Sequence, residues 1–190
     1  MNRNLYTVKH QQVSHSQLTV CDEDYPGSEP FSEPEVRALR DYLVDLKENK
    51  KRDIRAYIAM HSYGQLIIYP YAYTTQPADN LDQLRALAKL AADEIKNKTG
   101  STYVYGTPAE TIKLNGNPLD ATGNTIDWAR DYLNVKASFT FELPPARDAR
   151  SSGNRGFLLP ENRIAEVAHE AWHGMSAIFK ELIERDAYFY

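Results

Sequence analysis

Apolar residues recur along this chain in two alternating rhythms, one helical and one extended. Residues 32–49, SEPEVRALRDYLVDLKEN, carry Val36, Leu39, Leu43 and Leu46 at helical spacing, which predicts an amphipathic helix with one face on a core. Ser32 stands as its N-cap with Glu35 three residues on, the pattern of a capping box. After the charged turn ENKKRD, the run IRAYIAMHSYGQLIIYPY (54–71) is rich in β-branched and aromatic residues and breaks at Gly64. It predicts two buried strands joined tightly. Leu81, Leu84, Ala88, Ala91 and Ile95 line one face of a second helix over 79–97, which stops at Thr99–Gly100. Downstream, YVYG (103–106) predicts a short strand, residues 113–124 a Gly/Pro/Asn loop, TIDWARDYL a short helix and VKASFTFEL another buried strand. PPARDARSSGNRG is irregular. A final helix runs from about 160 to 186, its buried stripe being Ile164, Val167, Ala171, Met175, Ile178 and Leu182. Residues 1–31 read as loop. Helix alternating with apolar strand is the α/β pattern.

Length and charge narrow the picture. A chain of 190 residues with 42% hydrophobic content suits a single domain, 1–190, with a substantial core. Lys plus Arg number 22 against 26 Asp plus Glu, a formal net charge of -4, and the longest basic run is Lys50-Lys51-Arg52. No nucleic acid and no membrane partner is therefore expected. No apolar run is long enough to cross a bilayer, and the first twenty residues lack the apolar core of a signal peptide. Cys21 is the single cysteine, so no disulfide can form within the chain.

The first candidate chemistry is HEAWHG, His169 to Gly174. Two histidines four apart with Glu170 beside the first is the spacing of zincin endopeptidases. The helical stripe, however, sends His169 and His173 to the polar face with Ser176, Lys180 and Glu184. No third ligand from another element is evident, and Ser176 stands where the metzincin pattern has glycine. His169, Glu170 and His173 are thus read as a solvated helix face and not as functional residues.

A second constellation is more extensive. His61 ends an apolar strand, where an imidazole would be a rigid metal ligand. Glu142 ends the strand SFTFE, where burial against Phe139 and Phe141 would raise its pKa, as suits a general base. AYIAMHSYGQLIIYPYAYT (56–74), YVYGTPAETI, GNTIDWAR, KASFTFEL, RGFLLPENRI and the amino-terminal NRN together resemble, in order and spacing, the zinc metallocarboxypeptidases of the carboxypeptidase A/B type. The resemblance spans nearly the whole chain. It implies a mixed-sheet domain with helices on both faces, zinc as cofactor, and peptide or protein C-termini as partners. It assigns His61 as a zinc ligand and Glu142 as the base acting on metal-bound water. Asn2 and Arg3 would hold the terminal carboxylate, and Ser62 and Tyr63 would contact substrate around a cis peptide. Phe157 would wall the specificity pocket. Ile126 would lie at its base, favouring apolar or aromatic C-terminal residues.

The match is incomplete in ways that carry expectations of their own. The H-x-x-E motif that supplies the family's other two zinc ligands has no counterpart here, nor does an upstream arginine. Cys21 matches a cysteine whose partner would precede the NRN segment. The chain is therefore expected to be the C-terminal portion of such a domain, with N-terminal strands and helices missing, and to bind zinc weakly or not at all. The loop before Asp127 lacks the family's tyrosine, with Lys113 or Leu119 at the counted position, and Arg155 stands where a tyrosine is common. An extracellular setting follows from the resemblance, in which Asn97-Lys98-Thr99 would be a glycosylation acceptor. Beside carboxypeptidase activity stand two alternatives, a non-catalytic binder of peptide C-termini and the HEAWH endopeptidase.

Overall fold

The computed structural model of the chain describes residues 4, 20–21, 25–114, 117–118, 122–146 and 156–185. Helix α1 (Pro34–Val44) continues through a π-helical turn, Asp45–Asn49. Its N-cap is Glu33, with Pro34 in the first turn, where a missing N–H costs nothing. The expected capping box at Ser32 and Glu35 does not form. Ser32 lies one residue too far out, and its hydroxyl instead accepts from Asn4 Nδ2 at 2.8 Å and donates to Glu33 Oε1 at 2.8 Å.

Strands β1 (Ala56–Ser62) and β2 (Leu66–Ile68) precede α2 (Leu81–Thr99), β3 (Val104–Gly106) and α3 (Pro108–Thr111). The expected loop after α3 contains two short antiparallel strands, β4 (Lys113–Leu114) and β5 (Asn117–Pro118). Then come α4 (Thr125–Asp131), β6 (Ala137–Leu143), a 3-10 turn (Glu161–Arg163) and α5 (Ile164–Glu184). Gly100, at φ 79°, closes α2 in the left-handed conformation that glycine adopts without steric cost.

The main sheet has the order β1-β6-β2-β3, so the two strands that part at Gly64 are not neighbours. β6 lies between them, parallel to β1 and antiparallel to β2. Residues 63–65 pass over the end of β6, where Gly64 N donates to Leu143 O at 2.9 Å. Apolar pattern alone cannot tell a hairpin from this crossover, because a strand distant in sequence has inserted.

Strand alternation gives the sheet two unlike faces. Ala137, Phe139 and Phe141 join Ile58 and Ile67 under α2 and α5, against Leu84, Ala88, Ala91, Ile95 and Ile178. Each fully buried large side chain there contributes about 1.5–3 kcal/mol. Gly174 lets α5 come close, since a Cβ on it would stand 2.8 Å from Ile95 Cδ1 and 2.9 Å from Phe141 Cε1. The predicted stripe of α5 holds at Val167, Ala171, Ile178 and Leu182. It fails at Ile164, 62% exposed, because the whole first turn of the helix is exposed and burial begins at Val167. On the other face α1 and α4 pack through Val36, Leu43 and Trp128, with Ile126 against Leu66 and Ile68. Helices thus cover both faces.

Candidate active site

The parallel register pairs His61 with Glu142 and Ala59 with Thr140, so the β6 side chains Ser138, Thr140 and Glu142 share the α4 face with His61. His61 Nδ1 lies 3.7 Å from Glu142 Oε1, with side chains 27% and 15% exposed. Burial holds the His61 imidazole below its ordinary pKa, favouring the neutral form, which is the one that binds metals. Glu142 does not pack against Phe139 and Phe141, as the sequence suggested. Those rings point into the core on the opposite face, and Glu142 pairs in register with His61 of β1 on one side and with Leu66 of β2 on the other.

The crossover delivers two further predicted residues. Ser62 is exposed and Tyr63 half-buried, and the Ser62–Tyr63 peptide is cis. The Tyr63 ring meets Phe157 edge-on, with centroids 4.9 Å apart and planes at 85°. Phe157 is 62% exposed, so the two rings form an open aromatic corner. Ile126 is 2% exposed and packs under Leu66 and Ile68. Its carbonyl accepts from Ser138 Oγ at 2.9 Å, and the buried carboxylate of the next residue, Asp127, accepts from Ala72 N at 3.0 Å and Asn124 Nδ2 at 2.9 Å. These bonds fix the start of α4 to both β6 and the segment after β2.

Asn2, Arg3, Leu119 and Arg155 lie outside the described residues. Asn4, which sequence reasoning passed over, is a buried hub. Its Nδ2 reaches Pro26 O at 2.7 Å and Ser32 Oγ at 2.8 Å, its Oδ1 accepts from Glu33 N at 3.2 Å, and its carbonyl accepts from Phe31 N at 3.1 Å. The signal was its place in NRN, directly after the carboxylate-binding candidates in sequence.

In HEAWHG, His169 is exposed and His173 half-buried, but Glu170 departs from the expected solvated face at 1% exposure. Its carboxylate accepts from Ser101 Oγ at 2.5 Å and Tyr103 Oη at 3.1 Å. Burial first, and the neighbouring Glu170 charge second, push the Tyr103 hydroxyl well above its ordinary pKa. Glu170 therefore clamps α5 to the segment after α2. A groove of about 450 Å³ also lies between α2 and α5, lined by Leu87, Leu90, Glu181 and Arg185 and by none of the predicted site residues.

With strand order, register and this site in view, the comparisons with known proteins agree on the class. The chain belongs to the zinc carboxypeptidase family, whose sequence profile matches residues 1–174. It is similar to carboxypeptidase A1 of Mus musculus, 37% identical over 164 residues, and to carboxypeptidase B of Homo sapiens, 38% identical over 164 residues. Each alignment covers 86% of this chain and 35% of the relative. The solved structure of bovine thrombin-activatable fibrinolysis inhibitor in complex with tick carboxypeptidase inhibitor superposes with a TM-score of 0.81 at 34% identity, covering 97% of this chain and 56% of that one. The chain thus spans about a third of the length of these two curated relatives.

The family name implies zinc. Protein zinc sites take three or four protein ligands, and among the described residues no group of three His, Cys, Asp or Glu side chains stands where it could hold a metal. His61 and Glu142 by themselves do not make up a zinc site. Cys21 is exposed and unpaired with any described cysteine. Among the described residues no helix is long and apolar enough to cross a membrane.

Proposed function

We propose that this chain carries part of a carboxypeptidase centre that releases single residues, apolar or aromatic, from the C-termini of peptides. The observation that carries this reading is the His61–Glu142 pair, 3.7 Å apart at the shared C-terminal end of β1 and β6. In it, Glu142 takes the proton of the attacking water, and His61 would be one ligand of a zinc ion that polarises that water, the described residues supplying no complete ligand set. Arg3, with Asn2, grips the terminal carboxylate through its planar two-pronged donor set. Ser62 and Tyr63 contact the peptide, and Phe157 forms an aromatic wall. Ile126 offers a cationic side chain no counter-charge at the pocket base, which would leave such a charge unpaired. By itself the chain binds zinc weakly. An extracellular setting belongs to the same reading, in which the exposed Asn97 accepts a glycan.

Metal analysis after dialysis tests this, on the wild-type chain, His61→Ala, and a His169→Ala/His173→Ala double variant, each assayed for release of a C-terminal phenylalanine. The expected result is substoichiometric zinc, lowered further only by His61→Ala. Zinc lost only in the double variant would sink the reading and restore the endopeptidase.

A second reading, a binder of peptide C-termini without turnover, draws support from a specific contrast. The Tyr63–Phe157 corner is formed, whereas the described residues supply no complete ligand set. It expects affinity for a peptide with a free carboxylate that survives chelation and disappears in Arg3→Ala.

A further inference from the structure

We propose that Gly156 is a positioning residue for this site, one that sets the Tyr63 ring in place by having no side chain. The inference rests on the reading of Tyr63 as a substrate contact and adds the residue that seats it. A Cβ built on Gly156 would fall inside the van der Waals envelope of the Tyr63 ring, nearest to Cζ, Cε1 and Cε2. The hydroxyl-bearing end of the ring therefore rests on the Gly156 backbone. Gly156 is buried although its neighbour Phe157 is 62% and Leu158 75% exposed, so the ring covers a backbone patch that would otherwise face solvent.

Two segments meet here that are far apart in sequence. Tyr63 is held from one side, since the next residue, Gly64, is hydrogen-bonded to the end of β6 at Leu143 O. From the other side it is held by Gly156 beneath the ring and Phe157 edge-on to it. The phenol is thereby fixed on a residue two positions beyond His61 in sequence. The φ of Gly156 lies outside the left-handed region, so alanine fits the backbone, and the ring is what an added methyl would strike.

That makes a clean double-substitution cycle possible on the full chain. Gly156→Ala, Tyr63→Ala and the double variant are each melted thermally and titrated with a short peptide ending in phenylalanine with a free carboxylate. Gly156→Ala alone is expected to lower the melting temperature by about 5 °C and to weaken peptide affinity roughly tenfold, because the ring is displaced by the order of an ångström. In the Tyr63→Ala background the same methyl should change neither quantity. Equal melting losses in both backgrounds would show that the ring does not rest on Gly156 and overturn the proposal. A coupled melting loss with unchanged affinity in Gly156→Ala would also overturn it, leaving a packing contact. If the wild-type chain fails to bind the peptide, the proposed function falls and the positioning role with it, while the melting cycle still decides the contact.

Discussion

Glu142 and Glu170 each have a histidine close by in the chain or in space, yet the fold uses them in opposite ways. Glu142, next to the last residue of β6, keeps 15% of its side chain exposed and has His61 3.7 Å away. Glu170 sits in the more recognisable sequence motif, but it is 1% exposed and its carboxylate is engaged by Ser101 and Tyr103. Its histidine neighbours point elsewhere. His169 is exposed, and His173 is followed by the glycine that lets α5 approach Ile95 and Phe141. A carboxylate available for chemistry needs a partner and an opening to substrate. A buried carboxylate whose oxygens already accept hydrogen bonds is a tether.

The contrast breaks most visibly at Glu142. In a preparation of the protein that releases C-terminal phenylalanine, Glu142→Gln should lower turnover by about a thousandfold while thermal melting barely moves. A large fall in melting temperature with retained turnover would reverse the two roles. Glu170→Ala should do the opposite, costing about 3 kcal/mol in urea denaturation because the buried Tyr103 hydroxyl and the half-buried Ser101 hydroxyl lose a charged acceptor. Glu170→Gln, which keeps one acceptor, should cost less.

The same tether gives a pH signature. Tyr103 is held protonated in the folded state above its unfolded pKa of about 10. The stability this contributes is fully present below that pH and is lost as pH rises through the folded value. Denaturation midpoints should therefore fall more steeply above about pH 10 in the wild type than in Tyr103→Phe. Parallel curves would mean that the Tyr103 hydroxyl is not enclosed beside Glu170 in the folded chain. The smallest effect belongs to the motif histidines, for which His169→Ala/His173→Ala should stay within about 0.5 kcal/mol of wild type by urea denaturation.

Much of the fold was legible because amphipathic period is written locally. The stripe of α2 was readable from Leu84, Ala88, Ala91 and Ile95, and its end from Gly100, since helix burial and a left-handed cap are properties of neighbouring residues. The capping box was misread because Ser32 is claimed by Asn4, 28 residues away. Glu170 was misread because its partners, Ser101 and Tyr103, lie 69 and 67 residues off. The direction of Glu142 was misread because adjacency to Phe139 and Phe141 in a strand means the opposite face, not contact. Gly156 gave no signal at all, as its meaning lies in a ring that belongs to a crossover 93 residues earlier.

The long helices, the main-sheet strands, the α/β class and the family are readable from sequence, because periodicity and motif order are carried by residues near one another along the chain, whereas the short α3, β4 and β5 are not. The insertion of β6 between β1 and β2, the resulting approach of His61 to Glu142 and the tether at Glu170 emerge only from the folded arrangement. Backbone pairing and burial are long-range events. Strand register sets which side chains share a face, and solvent exclusion then separates the partly exposed Glu142 carboxylate from the enclosed Glu170.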